Sequence, residues 1–225
     1  MTLRHAWLDE IGVEHGFGLR GEPPPPGLLR PRQVHGRDVV DADACRATPP
    51  PDADAVLSRE PGLPIGVATA DCVPVLCASR AGDLVAAVHA GWRGLARGIV
   101  AASVDALRRM DARADFVAVI GPAIGACCYE VDTPVLDALR HEHGEVVVDC
   151  LSLPTRPGHA RIDLAALAAH AFEKAGVASD RIGRLPSCCT RCDAQRFHSF
   201  RRDGARAGRL VHHIAARVDR PGAHG

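Results

Sequence analysis

Between residues 65 and 120 the chain alternates short apolar runs with turn-rich breaks. The runs IGVA (65–68), VPVLCA (73–78), LVAAVH (84–89) and FVAVI (116–120) are apolar at nearly every position. Continuous runs of this length predict buried strands. Pro74 lies inside the second run, which puts Thr69-Ala70-Asp71-Cys72 in or beside a strand bend. Shorter signals predict a strand over 37–40 and a brief strand or turn over 54–58, with the rest of 1–45 irregular. Residues 209–218 alternate as a closing strand after an Asp203-Gly204 turn. Gly91-Trp92-Arg93-Gly94 reads as a turn.

Helical spacing appears over 95–110 through Ile99, Val100, Val104 and Leu107, and again over 134–143. Asp163 is a good N-cap for a helix over 164–175, and Gly176 is a good stop. Strands outnumber helices and do not alternate regularly with them. The pattern predicts an α+β fold: one compact domain over 1–225, with a mixed β-sheet and helices packed outside it. The proline runs Pro23–Pro26 and Pro49–Pro51 are stiff surface loops, not domain boundaries.

Composition narrows the partners. The formal net charge is zero and the isoelectric point is about 7.2, so no broad polyanion such as nucleic acid is expected. No run of 18 apolar residues is present, so no membrane span is expected. The start MTLRHAWLDEIG lacks a basic stretch leading into an apolar one and does not read as a signal peptide. Nine cysteines then argue for a reducing cytoplasm, with free thiols or metal ligands rather than a disulfide framework. Nothing in the pattern assigns an oligomeric state.

The candidate chemistry begins with His35, Cys72 and His89, each beside a β-like run. Two imidazoles and a thiolate suit zinc, and three ligands leave a fourth position open, as in catalytic sites. Spacing alone equally allows a loop histidine, a core cysteine and a satisfied buried histidine. Asp71 beside Cys72, Arg93 just after His89, and glycines at 36, 91 and 94 favour the site. A second cluster, Cys127-Cys128-Tyr129-Glu130, follows Gly121-Pro122 and is either a structural turn with buried thiols or a pocket wall. A third, Cys188-Cys189-Thr190-Arg191-Cys192, contains one CxxC with no second pair in the sequence to complete it: redox thiols, half of a zinc site, or neither. Arg201 and Arg202, ahead of Asp203-Gly204, are either a solvated hairpin end or a holder for an anion. Of His212 and His213, in one strand, only one can face a given side. There is no P-loop, no GxGxxG opening a helix, no GxSxG and no HExxH.

Taken in order, HGFGLR (15–20), RQVHG (32–36), DADAVLS (52–58), TADCVPVLC (69–77), VHAGWRG (88–94), IGPAIGACCYEV (120–131) and HSFRRDGARAGR (198–209) resemble the YfiH-like laccase-domain family, first described as multicopper polyphenol oxidases and now understood as purine nucleoside enzymes. The resemblance covers nearly the whole chain. It implies a fold shared with cytotoxic-necrotizing-factor-like enzymes and a zinc held by His35, Cys72 and His89. It also implies phosphorolysis of adenosine, inosine and methylthioadenosine, and deamination of adenosine, so the expected partners are purine nucleosides and phosphate. Under it Asp71, Cys72 and Arg93 are the catalytic candidates. Gln33, Arg93, Tyr129, Glu130, Arg201 and Arg202 are candidates for holding substrate. The TRC after Cys189 adds a thiol to the family pattern. Three other activities compete: copper-based phenol oxidation at the same ligands, a hydrolase of cell-wall precursors using Cys72 as nucleophile, and a non-catalytic zinc or nucleotide sensor. Copper oxidases need several HxH pairs, and here the only such pair is His141 and His143.

Overall fold

The computed structural model describes residues 2–112, 115–186 and 189–218, so Cys188 lies outside the described residues. The chain begins with α1 (Ala6–Ile11) and β1 (Glu14–Phe17), then a long loop leads to β2 (Val39–Asp41) and β3 (Ala55–Ser58). Next come β4 (Ile65–Thr69), β5 (Val73–Ser79), β6 (Val85–Ala90), α2 (Trp92–Leu95), α3 (Ile99–Met110) and β7 (Phe116–Ile120). β8 (Glu130–Asp132), α4 (Thr133–His143), α5 (Glu145–Cys150), β9 (Ser152–Arg156), β10 (His159–Ile162) and α6 (Leu164–Lys174) follow. β11 (Ile182–Arg184), α7 (Phe200–Asp203) and β12 (Leu210–Ala215) complete the strands and α-helices of the described residues.

Six strands in the order β11-β7-β5-β6-β3-β2 form the central sheet. The outer pairs β11–β7 and β2–β3 are parallel and the inner pairs antiparallel. A three-stranded antiparallel sheet, β1-β12-β4, covers one face, while β8-β10-β9 forms a separate antiparallel sheet. The central strands divide their side chains between two cores. Val75 and Cys77 of β5, with Val88 of β6 and Ile120 of β7, pack with Val104 and Leu107 of α3 and Leu167 and Phe172 of α6. Leu76 and Ala78, with Val85 and Val119, pack with Phe17, Ile65, Val67 and Ile214. Both faces of these strands are dry, which is why their sequences are apolar throughout rather than alternating. At roughly 1.5–3 kcal/mol for each large apolar side chain buried, these two layers hold the strand ends in fixed register. Among the described residues no helix is long and apolar enough to cross a membrane.

The mixed α+β architecture matches the expectation, and four local readings change. Residues 1–45 are not irregular throughout: α1 and β1 lie there. Strand β1 is masked in the sequence because its buried positions include His15 and Gly16. His15 is satisfied by the backbone N–H of His5 at 3.0 Å and pairs through Nδ1 with the Val13 carbonyl at 3.1 Å. Gly91–Gly94 does not form a simple turn, because one turn of helix starts at Trp92. The following helix starts at Ile99, since Gly98 at φ 78° breaks any continuation from residue 95. Lastly, Asp203 ends the short helix α7 and Gly204 caps it, so the pair is not a hairpin end. By contrast, Asp163 caps α6 as expected, accepting the Ala166 N–H at 2.8 Å.

Candidate metal centre

Three chain segments meet at one end of the central sheet. Cys72 sits in the bend between β4 and β5, directly after Asp71, which has φ 90°. His89 is on β6, paired with Pro74 of β5. His35 comes from the long loop before β2 and also lies at positive φ, 58°. A non-glycine residue in this region is costly unless its surroundings hold it. Asp54 does so: its carboxylate accepts the N–H groups of Val34, His35 and Gly36 at 3.3, 2.9 and 2.6 Å. The same carboxylate receives His89 Nδ1 at 2.7 Å. One fully buried carboxylate thus fixes both histidines and turns His89 Nε2 away from itself.

Cys72 Sγ lies 3.9 Å from His35 Nε2, and the donor atoms of His35, Cys72 and His89 are all within 4.8 Å of one another. The imidazoles meet edge to face, with centroids 4.8 Å apart. Around a tetrahedral zinc with bonds of 2.0–2.3 Å, sulfur and nitrogen would stand about 3.6 Å apart. The Cys72–His35 separation is within a few tenths of an ångström of that value. The backbone leaves room for nothing else there: a Cβ at Gly91 would fall 3.0 Å from Cys72 Sγ and 3.1 Å from His35 Cδ2.

The electrostatics suit a ligand set. Burial works against a Cys72 thiolate, yet the hydrogen bonds from His35 and His89 outweigh it and bring the thiol down to about 6. Burial likewise opposes charge on His89, but Asp54 and the Cys72 thiolate raise it to about 9. For Asp54, burial is offset by His89 and the Gly36 N–H, and the carboxyl stays below its usual range. Cys77, two turns of pleat further along β5 among apolar neighbours, is instead pushed up to about 12.

These ligands open onto a cavity of about 770 Å³. Gln33, Asp71, Arg93, Tyr129 and Arg201 line it, as expected of site residues. Gln33 reaches the wall by bridging the Ala68 backbone, donating to its carbonyl at 2.8 Å and accepting its N–H at 2.7 Å. The Arg93 guanidinium lies over the Trp92 ring at 4.4 Å, and that of Arg201 over Tyr129 at 4.9 Å. Arg201 also donates to the Glu130 carbonyl at 2.7 Å. Asp71 is 7% exposed, and its carboxylate accepts Thr190 Oγ1 at 2.5 Å, Ser199 Oγ at 3.0 Å and the Arg201 N–H at 2.6 Å. It therefore ties the 190–201 segment to the bend that carries Cys72.

Two expected substrate contacts stand elsewhere. Glu130 does not line the cavity: its carboxylate pairs with Arg156 at 2.9 Å. Arg202 donates to the carbonyls of Thr190, Arg191 and Phe197 and pairs with Asp203, so its guanidinium is spent on holding the chain. Sequence reasoning missed Asp54, visible only as part of DADAVLS, and the cavity residues Arg30, Trp92, Phe200 and Arg209. Phe200 stands 55% exposed beside Arg201, an apolar surface at the opening.

A family model described as multi-copper polyphenol oxidoreductase laccase matches residues 21–217. A purine nucleoside phosphorylase of Xylella fastidiosa is 40% identical over 199 residues, covering 86% of this chain and 73% of its own. An adenosine deaminase from an unknown prokaryotic organism is 35% identical over 191 residues, covering 81% and 72%. Among solved structures, the YfiH protein of Bacillus licheniformis matches with TM-score 0.81 at 28% identity, covering 92% of this chain and 93% of that one.

Proposed function

The chain belongs to the multi-copper polyphenol oxidoreductase laccase family, and we propose that within it the protein is a zinc-dependent purine nucleoside phosphorylase for adenosine, inosine and methylthioadenosine that also deaminates adenosine. The observation that carries this reading is the convergence of His35, Cys72 and His89 at the floor of a cavity with room for a nucleoside and an anion. The names of the relatives support the substrate class. The chemistry of the donors supports zinc: two nitrogens, one thiolate, and a carboxylate behind one histidine. The same donors would also take copper. The eight cysteines among the described residues are all free thiols, which suits work in the cytoplasm.

When bound, zinc would supply Lewis acidity at the cavity floor. The remaining work falls to the chain. His35, Cys72 and His89 hold the ion, and Asp54 aims the His89 imidazole and holds the backbone that carries His35. Arg93 and Arg201, each flattened on an aromatic ring, hold phosphate with their free edges. Tyr129, kept neutral because burial pushes its hydroxyl up, offers the ring that supports Arg201. Phe200 gives the purine an apolar face. Asp71 acts as a positioning residue for Arg201 and Cys72. In phosphorolysis, a phosphate oxygen bonds to ribose C1′ as the bond to the purine nitrogen breaks, giving free base and ribose 1-phosphate. In deamination, water adds at the purine C6 and ammonia leaves, giving inosine. Untagged, metal-analysed protein incubated with adenosine and phosphate should release adenine and ribose 1-phosphate, with inosine forming in parallel. No turnover at full metal loading would leave binding alone, the property of a sensor.

A second reading has its own support. Cys72, His89 and Asp54 without metal are arranged as a thiolate, an imidazole and the carboxylate that orients it, the parts of a cysteine hydrolase. Trapping an acyl group on Cys72 would favour it. Metal-dependent turnover, with Cys72 shielded from alkylating agents, would exclude it.

A further inference from the structure

The two cysteine clusters that the sequence keeps apart meet at the surface. Cys127 and Cys128 lie in the loop after β7, and Cys189 and Cys192 in the segment after β11. An isolated parallel bridge, Ala123 to Cys189, joins the two segments, with Thr190 N–H donating to the Ala123 carbonyl at 3.0 Å. The Sγ atoms of Cys127 and Cys128 stand 3.6 Å apart, those of Cys127 and Cys192 3.6 Å, and those of Cys128 and Cys192 3.3 Å. All four sulfurs lie within 4.8 Å of one another.

We propose that Cys127, Cys128, Cys189 and Cys192 hold a second zinc ion, in a closed all-sulfur site separate from the cavity. Four sulfurs at about 2.3 Å from one tetrahedral zinc stand about 3.8 Å from each other. The three separations among Cys127, Cys128 and Cys192 fall 0.2–0.5 Å short of that edge, and they are far from the roughly 2.05 Å of a disulfide. The spacing has room for one ion, not for a cluster of several. Outer contacts fit as well. Gly125 N–H donates to Cys189 Sγ at 3.3 Å, a backbone hydrogen bond of the kind that supports metal thiolates. A zinc with four thiolates carries a net double negative charge, and Arg161, Arg191 and Arg201 border the same shallow hollow. Arg161 is anchored there by donating to the Cys127 carbonyl at 3.2 Å.

The site has a structural consequence. Cys128 precedes Tyr129, which supports Arg201, and Cys189 precedes Thr190, which donates to Asp71. Zinc on these thiols would clamp together the two segments that build one wall of the cavity. All four coordination positions are filled by protein, so the ion takes no part in turnover.

Zinc content of full-length protein, prepared with zinc under reducing conditions, tests this. Two zinc ions per chain are expected in the wild type, one in Cys72→Ala and one in Cys189→Ser/Cys192→Ser. Cobalt(II) loaded into Cys72→Ala should give the intense sulfur-to-cobalt bands of a four-thiolate site, so the test stands even if the double variant does not fold. Weak cobalt bands in that variant would overturn the proposal. So would wild-type zinc that survives the double serine change undiminished, or a mass two hydrogens short that maps to a bond among these cysteines. Zinc kept by Cys72→Ala in full and lost from the double variant would support this site while refuting the one at the cavity floor.

Discussion

The cavity floor and the surface thiols gather ligands in opposite ways. At the floor, three donors of two kinds come from a loop, a strand bend and a strand, and a buried carboxylate stands behind them. At the surface, four donors of one kind come from two loops, with backbone N–H and arginine around them. The first arrangement leaves a side open to a cavity of about 770 Å³; the second closes on itself. Cys77 shows a third condition, a thiol among apolar side chains with no partner to ionise it. Cysteine alone therefore says little. Ligand number, the softness of the set and what stands behind it separate a reacting centre from a clamp.

The comparison breaks most sharply at Cys72. Cys72→Ala should leave two imidazoles, too few to keep the ion. Changes to the groups behind a metal ligand already cost roughly 10–100-fold in affinity or activity, so loss of a ligand should cost more and bring phosphorolysis and deamination to background. The surface zinc should remain. Product analysis together with metal content checks this, and full activity in the variant would remove the cavity floor as the reacting centre.

Asp54 comes next. Asp54→Asn keeps the size of the side chain, removes its charge and gives up one acceptor oxygen. Four donors now converge on that carboxylate, so His35 and His89 should lose their fixed aim. Zinc affinity should fall roughly 10–100-fold at the floor and stay unchanged at the surface thiols. Competition with a chromophoric chelator measures both. Equal weakening at the two sites would mean that Asp54 acts only through overall stability.

Arg201 tests whether the wall between the two sites binds the anion. Arg201→Met keeps an apolar chain over Tyr129 and removes the charged hydrogen bonds, each worth about 1.5–3 kcal/mol. The KM for phosphate should rise roughly 10- to 100-fold, with the deamination rate little changed because water, not phosphate, is the co-substrate. A matching fall in both reactions would assign Arg201 to the nucleoside instead.

The legibility of these regions in the sequence differed for physical reasons. The central strands were readable because sheets cover them on both sides, and β7 fell on the expected residues, Phe116–Ile120. Cys72 and His89 could be named because each stands at the edge of such a run, and His35 because it precedes the shorter strand signal over 37–40. Asp54 was hidden because a buried carboxylate looks like any surface aspartate until its four donors are known. Arg202 and Glu130 looked like substrate contacts beside their neighbours, but each is engaged by the chain itself. The surface thiols were the hardest case. The CxxC at 189–192 is only half of a zinc spacing and the adjacent pair at 127–128 does not complete it in sequence, so only the bridge between the two loops makes four ligands of them.

The smallest effect concerns what lies beneath the floor. His212 of β12 is fully buried, with its Nε2 2.8 Å from Thr69 Oγ1 at the end of β4. Burial, with the nearby charges of His213 and His89, lowers it from 6.5 to about 3. Its folded form therefore binds no proton between those values, while the unfolded chain does. The unfolded state holds more protons in that window, so stability rises with pH there. The contribution is complete above about 6.5 and is lost as the pH falls toward 3. Between pH 7.5 and 5.5 the cost is about 1 kcal/mol, or roughly 3 °C in Tm for a chain of this size. Protons also compete with zinc for thiolates, so the measurement needs metal-free protein, where neither site contributes metal binding. His212→Gln should flatten the slope of Tm against pH over this range, whatever it does to Tm at pH 7.5. An unchanged slope would assign the acid sensitivity to the other groups held below their ordinary values, the Cys72 thiol and the buried or half-buried His15, His143 and His213, because His89, raised to about 9, contributes stability that is lost as the pH rises and not as it falls.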